Sequence, residues 1–356
     1  MSAVMPTHPT PAPRPSSPRA IAADALDSLG LLDGLLWLRG RCRVPLLGIF
    51  TYHRIAEPDG VGELDGGVAE ASVRELREQI ALIKAHCTAL TLDDLCRGLR
   101  GAPLPPNPVL ITFDDGYRDC HDIVLPILRE AGISATFFIP TRYPDAGRIF
   151  WWDRVHLTLR RCCRDTIEIS YPVHLVLHPL RNPKAAADRL SAALKRTPRV
   201  DIDRSLAELE RATGVTLTAD EERDLAANAI MGWDHIRALR AAGMDIQSHG
   251  HGHGVLNTMS PEDAQRDLTS SRRVLTDVLS EPVRAVAYPV GYPLSGAYRD
   301  AVIAAGFEIG FTNNTGLCLT TACDPLNLPR VAMDRGQVGP LYKLKLLAGE
   351  RYSPAT

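Results

Sequence analysis

Two short segments of this 356-residue chain bring acids and imidazoles close enough together for hydrolytic chemistry. The first, Thr112-Phe113-Asp114-Asp115-Gly116-Tyr117, ends the apolar run Val109–Phe113. Neighbouring side chains on an extended chain point apart, so one carboxylate can take a cation while the other faces a reacting bond. Asp-Asp-Gly is also an ordinary turn sequence, and alone it decides nothing. The second segment, Ser248-His249-Gly250-His251-Gly252-His253-Gly254, follows another apolar run, Met244–Gln247. Glycine at alternate positions excludes a stable helix and leaves a loop in which imidazoles can converge. Two imidazoles with one carboxylate form a frequent donor set for a catalytic divalent metal with an open position. Zinc is the first expectation, and cobalt, nickel or manganese suit the same donors.

These segments need a scaffold that brings them together. Short apolar, β-prone runs recur at Leu46–Tyr52, Val109–Phe113, Ala135–Ile139, Met244–Gln247, Ala285–Tyr288, Glu308–Thr312 and Leu328–Ala332. Helical stretches lie between them: Ser72–His86 opens with a Ser72/Glu75 capping box, Arg118–Ala131 stops at Gly132, Trp233–Ala242 stops at Gly243, and Pro261–Leu279 follows Ser260. This alternation predicts an α/β fold, a distorted (β/α) barrel of about seven parallel strands, whose catalytic groups gather at the C-terminal strand ends. Between 143 and 230 the pattern changes to Arg/Ala/Leu-rich helical segments broken by Pro172, Pro179, Pro183 and Pro198, which reads as a helical insertion. The expected organisation is a disordered tail (1–20), an amphipathic helix and linker (21–44), the interrupted barrel (45–340) and a C-terminal tail (341–356).

Hydrophobic residues make up 45% of the chain, and 40 Lys and Arg nearly balance 42 Asp and Glu. Such a balance gives no field to attract nucleic acid. The eight cysteines form no metal or disulfide spacing and read as reduced thiols. Residues 1–18 lack the apolar centre of a signal peptide, which sets the expectation of a cytoplasmic protein. The apolar stretch Ile21–Leu38 is interrupted by Asp24, Asp27 and Asp33, well short of the run of about 20 apolar residues needed to cross a bilayer. Its leucines recur at helical spacing and Arg39, Arg41 and Arg43 follow, which fits a helix packed on its own barrel or one making peripheral contact with a membrane.

Taken together the motifs resemble the polysaccharide deacetylases of carbohydrate esterase family 4, the NodB-homology domain. Thr112–Gly116 resembles the family's first motif, His249-x-x-x-His253 preceded by Ser248 its second, and Ala287-Tyr288-Pro289-Val290-Gly291 its third. Tyr52-His53-Arg54-Ile55 and Leu328-Pro329-Arg330 are similar to the branch that acts on exopolysaccharide and poly-N-acetylglucosamine. The resemblance spans about 46–141 and 231–334. It implies metal-dependent removal of N-acetyl groups from an amino-sugar polysaccharide, oligosaccharide or glycan precursor. Asp115, His249 and His253 would hold the metal, Asp114 would be the base, and a backbone N–H near Val290 would meet the oxyanion. His251 is left as the spare imidazole. Tyr117, Tyr288, Pro289 and Val290 would border the substrate, and Trp152 would offer a stacking face to a sugar.

Two departures stand out. Ala287 occupies the place of an arginine that braces the base in the family, and Arg330 is the available replacement. Relatives use a late histidine as the acid, but none follows His253, which leaves His53, at the end of the first strand, as the candidate. The competing readings are an O-acetyl esterase or non-sugar amide hydrolase on the same site, and a non-catalytic carbohydrate-assembly protein on a decayed barrel.

Overall fold

The computed structural model describes residues 17–57 and 60–349. Seven parallel strands close a barrel: β1 (Leu46–Tyr52), β2 (Pro108–Phe113), β3 (Thr136–Ile139), β4 (Asp245–Ser248), β5 (Ala285–Ala287), β6 (Ile309–Thr315) and β7 (Leu328–Ala332). The order round the barrel is β1-β7-β6-β5-β4-β3-β2, and β2 closes on β1 from Gly48↔Val109 to Tyr52↔Phe113. The expected strands all form, displaced by no more than a few residues at their ends. All six residues of β2 are buried, as befits a strand covered on both faces.

The period of two along each strand divides the core. Phe50, Tyr52, Ile111, Phe113, Phe137, Ile246 and Val331 point outward and pack with helix residues such as Leu76, Ile80, Leu128 and Leu268. Leu47, Ile49, Leu110, Phe138, Phe311 and Leu328 form the other cluster, inside the barrel. By the same alternation Thr112 and Asp114, Asn313 and Arg330 face the interior at its upper end. Polar side chains thus collect where the apolar filling stops.

Thirteen α-helices are present among the described residues. At the N-terminus lie α1 (Pro18–Ser28) and α2 (Leu31–Arg41), and the barrel carries α3 (Val73–His86), α4 (Leu92–Leu99) and α5 (Leu125–Ala131). Ser72 and Glu75 make the anticipated capping box on α3. The helix expected over Arg118–Ala131 is instead a π-helical turn, Cys120–Val124, running into α5. The insertion comprises α6 (Trp151–Arg161), a hairpin of Ile167–Ile169 with Leu175–Leu177, α7 (Pro183–Arg196), α8 (Ile202–Thr213) and α9 (Ala219–Ala229). It buries a core of its own around Phe150, Trp152, Leu157, Leu190 and Leu209. The chain then continues through α10 (Trp233–Ala241), α11 (Pro261–Leu279), α12 (Gly296–Ala304) and α13 (Gly339–Ala348).

Both ends differ from the sequence expectation. Helix α1 starts at Pro18 with Ser17 as its cap, inside the stretch read as a tail, whose residues 1–16 lie outside the described set. Gly30, at φ +69°, separates two helices where one was expected. The stretch after 340 is helix α13 as far as Ala348, packed on α1, α2 and α3, rather than a tail. Ala23, Leu32, Leu36 and Gly40 turn α1 and α2 onto the barrel, while Leu29, Leu31, Leu35, Trp37 and Leu38 stay exposed. No helix among the described residues is long and apolar enough to cross a membrane.

Candidate metal and catalytic site

The strand register sets the first contact. Because Tyr52 pairs with Phe113, the next residues, His53 and Asp114, come side by side, and the Asp114 N–H donates to the Tyr52 carbonyl at 2.8 Å. Asp115 and Gly116 then turn with φ +70° and +76°. The two carboxylates part company through this left-handed turn, not through the extended pleat that the sequence suggested. A methyl group on Gly116 would meet the Ile139 side chain at 3.1 Å, so the turn also has little lateral room.

Asp115, His249 and His253 are buried, and one donor atom from each lies within 4.8 Å of the others. His249 Nε2 is 3.3 Å and His253 Nε2 3.1 Å from Asp115 Oδ1. Despite this proximity Asp115 Oδ1 has no hydrogen bond, an expensive state for a buried carboxylate oxygen. A cation resolves it, so the donor set fits a divalent metal. His249 Nδ1 contacts the Ala287 carbonyl at 2.8 Å, an acceptor that puts the ring proton on Nδ1 and leaves the Nε2 lone pair free. Burial lowers the His253 pKa, which favours the neutral ring a metal requires. His251 turns away from the cluster, with Nδ1 2.9 Å from Thr141 Oγ1.

Asp267 on α11 organises the loop that carries these histidines, accepting from the His251 and Gly252 N–H groups at 2.8 and 2.9 Å. Gly250 has φ +75°, and a Cβ there would come within 2.8 Å of Asp267 Oδ2. Glycine is required by both conformation and space. His253, at φ +55°, holds a left-handed conformation that is unusual for its residue type.

Asp114 is 1% exposed and clamped by Arg330, with Nη1 to Oδ1 at 2.8 Å and Nη2 to Oδ2 at 2.7 Å. Burial alone would raise the Asp114 pKa, but Arg330, His249 and His53 together hold it below the usual carboxylate range. Arg330 also donates to the Thr312 carbonyl and to Asn313 Oδ1. Asn313 Nδ2 in turn donates to the Val290 carbonyl at 3.3 Å, so one side chain links the clamp to the third motif. Val290 sits at φ +66°, a strained setting for a β-branched residue.

His53 presents Nε2 to Asp114 at 3.9 Å, while its Nδ1 lies 2.9 Å from Glu70 Oε1. Glu70 also accepts the His53 backbone N–H at 2.6 Å. Burial disfavours the imidazolium, but Glu70, with Asp115 and Asp114 behind it, more than offsets this and raises the His53 pKa to about 10. Glu70, Asp267 and Asn313 went unnoticed in the sequence.

Several residues expected at the substrate are turned inward instead. Tyr117 is fully buried, taking a 2.7 Å hydrogen bond from Trp152 Nε1. Trp152 stacks on Phe150 and touches the His253 ring, with 5% of its surface left, so neither of its faces is free for a sugar. Tyr288 is buried and donates to the Leu326 carbonyl at 2.7 Å; Pro289 is also buried, and Val290 alone of that motif is partly exposed.

The parallel barrel thus brings an Asp/His/His cluster that fits a divalent metal, and a carboxylate clamped by Arg330, together at the C-terminal ends of its strands. The family model for polysaccharide deacetylase matches residues 101–313, more than half of the chain, and the protein belongs to that family: it is a deacetylase acting on amide bonds. No protein of curated function matches it. The fold is shared with the Streptococcus pyogenes deacetylase PplD, solved with acetate, at 16% identity and a TM-score of 0.55 over 85% of this chain and 98% of that one. IcaB from Ammonifex degensii gives 16% and 0.54 over 85% and 97%. A de-N-acetylase from Aggregatibacter actinomycetemcomitans gives 14% and 0.53 over 85% and 99%. Identities this low speak for the fold alone.

Proposed function

We propose that this deacetylase removes N-acetyl groups from an amino-sugar unit of a polysaccharide, an oligosaccharide or a glycan precursor. One observation carries the reading: Asp114, clamped by Arg330, lies between His53 and the Asp115/His249/His253 cluster at a single barrel mouth. Asp115, His249 and His253 would hold the metal, zinc being the first choice for one carboxylate and two imidazoles. When bound, it supplies Lewis acidity toward the acetyl carbonyl and the attacking water.

The rest is the work of the chain. Arg330 fixes the plane of Asp114 and uses one lone pair of each oxygen, and the remaining lone pairs can accept the proton of the attacking water. His53, held as an imidazolium by Glu70, can donate its Nε2 proton to the departing nitrogen, which could not leave as an amide anion. The C–N bond then breaks to a free amine and acetate. A backbone N–H near Val290 would meet the oxyanion. Arg330 would therefore be a positioning residue and not a proton carrier.

The exposed side of α1 and α2 further suggests peripheral contact with a membrane. The test is acetate release from a panel of N-acetylated saccharides and sugar phosphates, with zinc and after chelation. Zinc-dependent acetate supports the reading. Release from O-acetylated but not N-acetylated sugars would overturn it.

A further inference from the structure

The turn that follows β5 has a shape its residues do not favour. Tyr288, Pro289, Val290 and Gly291 form a four-residue turn, closed by the Gly291 N–H donating to the Tyr288 carbonyl at 2.8 Å. Val290, at φ +66° and ψ −17°, lies close to the third position of a type II turn, a place for glycine or asparagine. A branched Cβ makes that position costly. The relaxed alternative for valine is a type I turn, with this residue at a φ of about −90°. The two types differ by turning over the peptide between the second and third residues, so the choice decides which way the Val290 N–H points. The turn begins one residue after Ala287, whose carbonyl meets His249 Nδ1 at 2.8 Å, and therefore stands beside the metal cluster.

Asn313 on β6 holds the strained form. Its Nδ2 donates to the Val290 carbonyl at 3.3 Å. Gly291, itself at φ +77°, lies so close that a Cβ there would come within 2.4 Å of the Asn313 backbone nitrogen and of its Cγ. Asn313 is in turn fixed, because its Oδ1 accepts from Arg330 Nη2 at 2.7 Å. Arg330 is immobilised by its two bonds to Asp114 and by the Thr312 carbonyl. The start of the turn is tied to the same strand, the Tyr288 N–H donating to the Phe311 carbonyl at 3.0 Å.

We infer that Asn313 is a positioning residue: anchored by Arg330, it keeps Val290 left-handed and so aims the Val290 N–H at the acetyl oxygen as charge develops there. One guanidinium thereby sets both the carboxylate that takes the proton and, through Asn313, the donor that meets the oxyanion. The inference rests on the deacetylation reading only for the bond that is cleaved, since an acetyl ester hydrolysed here would pass through the same oxyanion.

A double substitution tests it on the zinc-supplied full chain, with N-acetylglucosamine oligomers and 4-nitrophenyl acetate as substrates. N313A should lower kcat about ten- to a hundred-fold and leave KM within about three-fold, because the misaimed donor is missed in the transition state. Glycine at 290 keeps the N–H and takes a positive φ freely, so N313A/V290G should recover to within about five-fold of wild-type kcat. A role for Asn313 in general stability, or through Asp114 alone, gives no such rescue. A kcat for N313A within about three-fold of wild type, a loss confined to KM, or a loss that V290G leaves in place overturns the inference. Acetate from the ester with none from the oligomers refutes deacetylation, while rescue on the ester still upholds Asn313. A crystal structure of N313A answers independently of turnover: Val290 should move to negative φ with both Arg330–Asp114 bonds kept, and a Val290 still left-handed would overturn the role of Asn313.

Discussion

Replacing Glu70 by Gln should move the alkaline limb of catalysis. The amide can still accept one hydrogen bond from His53, but it brings no charge. At the observed 2.9 Å the ion pair would be worth about 6 kcal/mol at an effective dielectric of about 20. The His53 side chain keeps 21% of its surface in solvent, and Asp114 and Asp115 remain nearby, so we take a fall of one to two pK units, about 1.4 kcal/mol each. From its native position at about 10, the imidazolium would then lose its proton near pH 8–9. The pH profile of kcat/KM for acetate release should show it: the variant stays close to wild type at pH 6.5 and falls about ten-fold behind at pH 9.5. Stability should follow the same sign. A histidine raised in the fold stabilises it below its unfolded value of about 6.5, and that contribution disappears as pH rises through about 10. E70Q should therefore be less stable than wild type at pH 6 and nearly equal to it above pH 10. A uniform loss of rate at every pH, with the limb unmoved, would refute the placing of the acid on His53.

Asp114→Asn should keep its zinc by elemental analysis and lose about 10²- to 10⁴-fold in kcat; turnover within a few-fold of wild type would remove Asp114 as the base. His253→Ala should leave the protein without stoichiometric zinc, whereas His251→Ala, turned toward Thr141, should retain it, and equal retention would sink the ligand assignment. Asp153, raised to about 7 by burial, should make native stability fall as pH rises from about 4 to 7, because the folded chain keeps a proton that the unfolded chain has released. Urea titrations at pH 4.5 and 8 should find that slope smaller by about 2–4 kcal/mol in Asp153→Asn, and parallel behaviour would show that Asp153 is ionised in the fold.

The barrel was legible because its strands are compact apolar runs whose ends coincide with the acidic and histidine motifs. Both halves of the site announce themselves by composition: an acid pair before glycine, and imidazoles alternating with glycine. What escaped is what supports them. Glu70 sits in a three-residue strand, Ala69–Ala71, that resembles any edge segment, and only the pairing of that strand with Arg54–Ile55 brings it to His53. Asp267 lies within a long amphipathic helix, where an acid reads as solvated surface. Asn313 belongs to Thr-Asn-Asn-Thr, a turn-like sequence that β6 in fact carries as strand to Thr315. The aromatic residues beside the motifs misled for the opposite reason. Their nearness in sequence suggested substrate contact, but Tyr117, Trp152 and Tyr288 bury their rings and satisfy their polar atoms within the protein. Arg330 was legible from the Leu328-Pro329-Arg330 motif and from the vacancy Ala287 left beside the base, but its bond to Asp114 was not, since no local pattern joins residues 216 positions apart.

Asp115, His253 and Val290 all hold left-handed backbone without being glycine, each at a cost of about 1–3 kcal/mol. Glycine at any of the three would relieve that strain and, at 115, would also remove a buried carboxylate oxygen lacking a hydrogen bond. The functional sequence is thus not the most stable one for its own backbone. Selection for thermal endurance alone would drift toward a hardier barrel stripped of the carboxylate and imidazole proposed to hold the metal. The native residues at these positions are therefore a record of selection for turnover, maintained against the direction in which stability pulls.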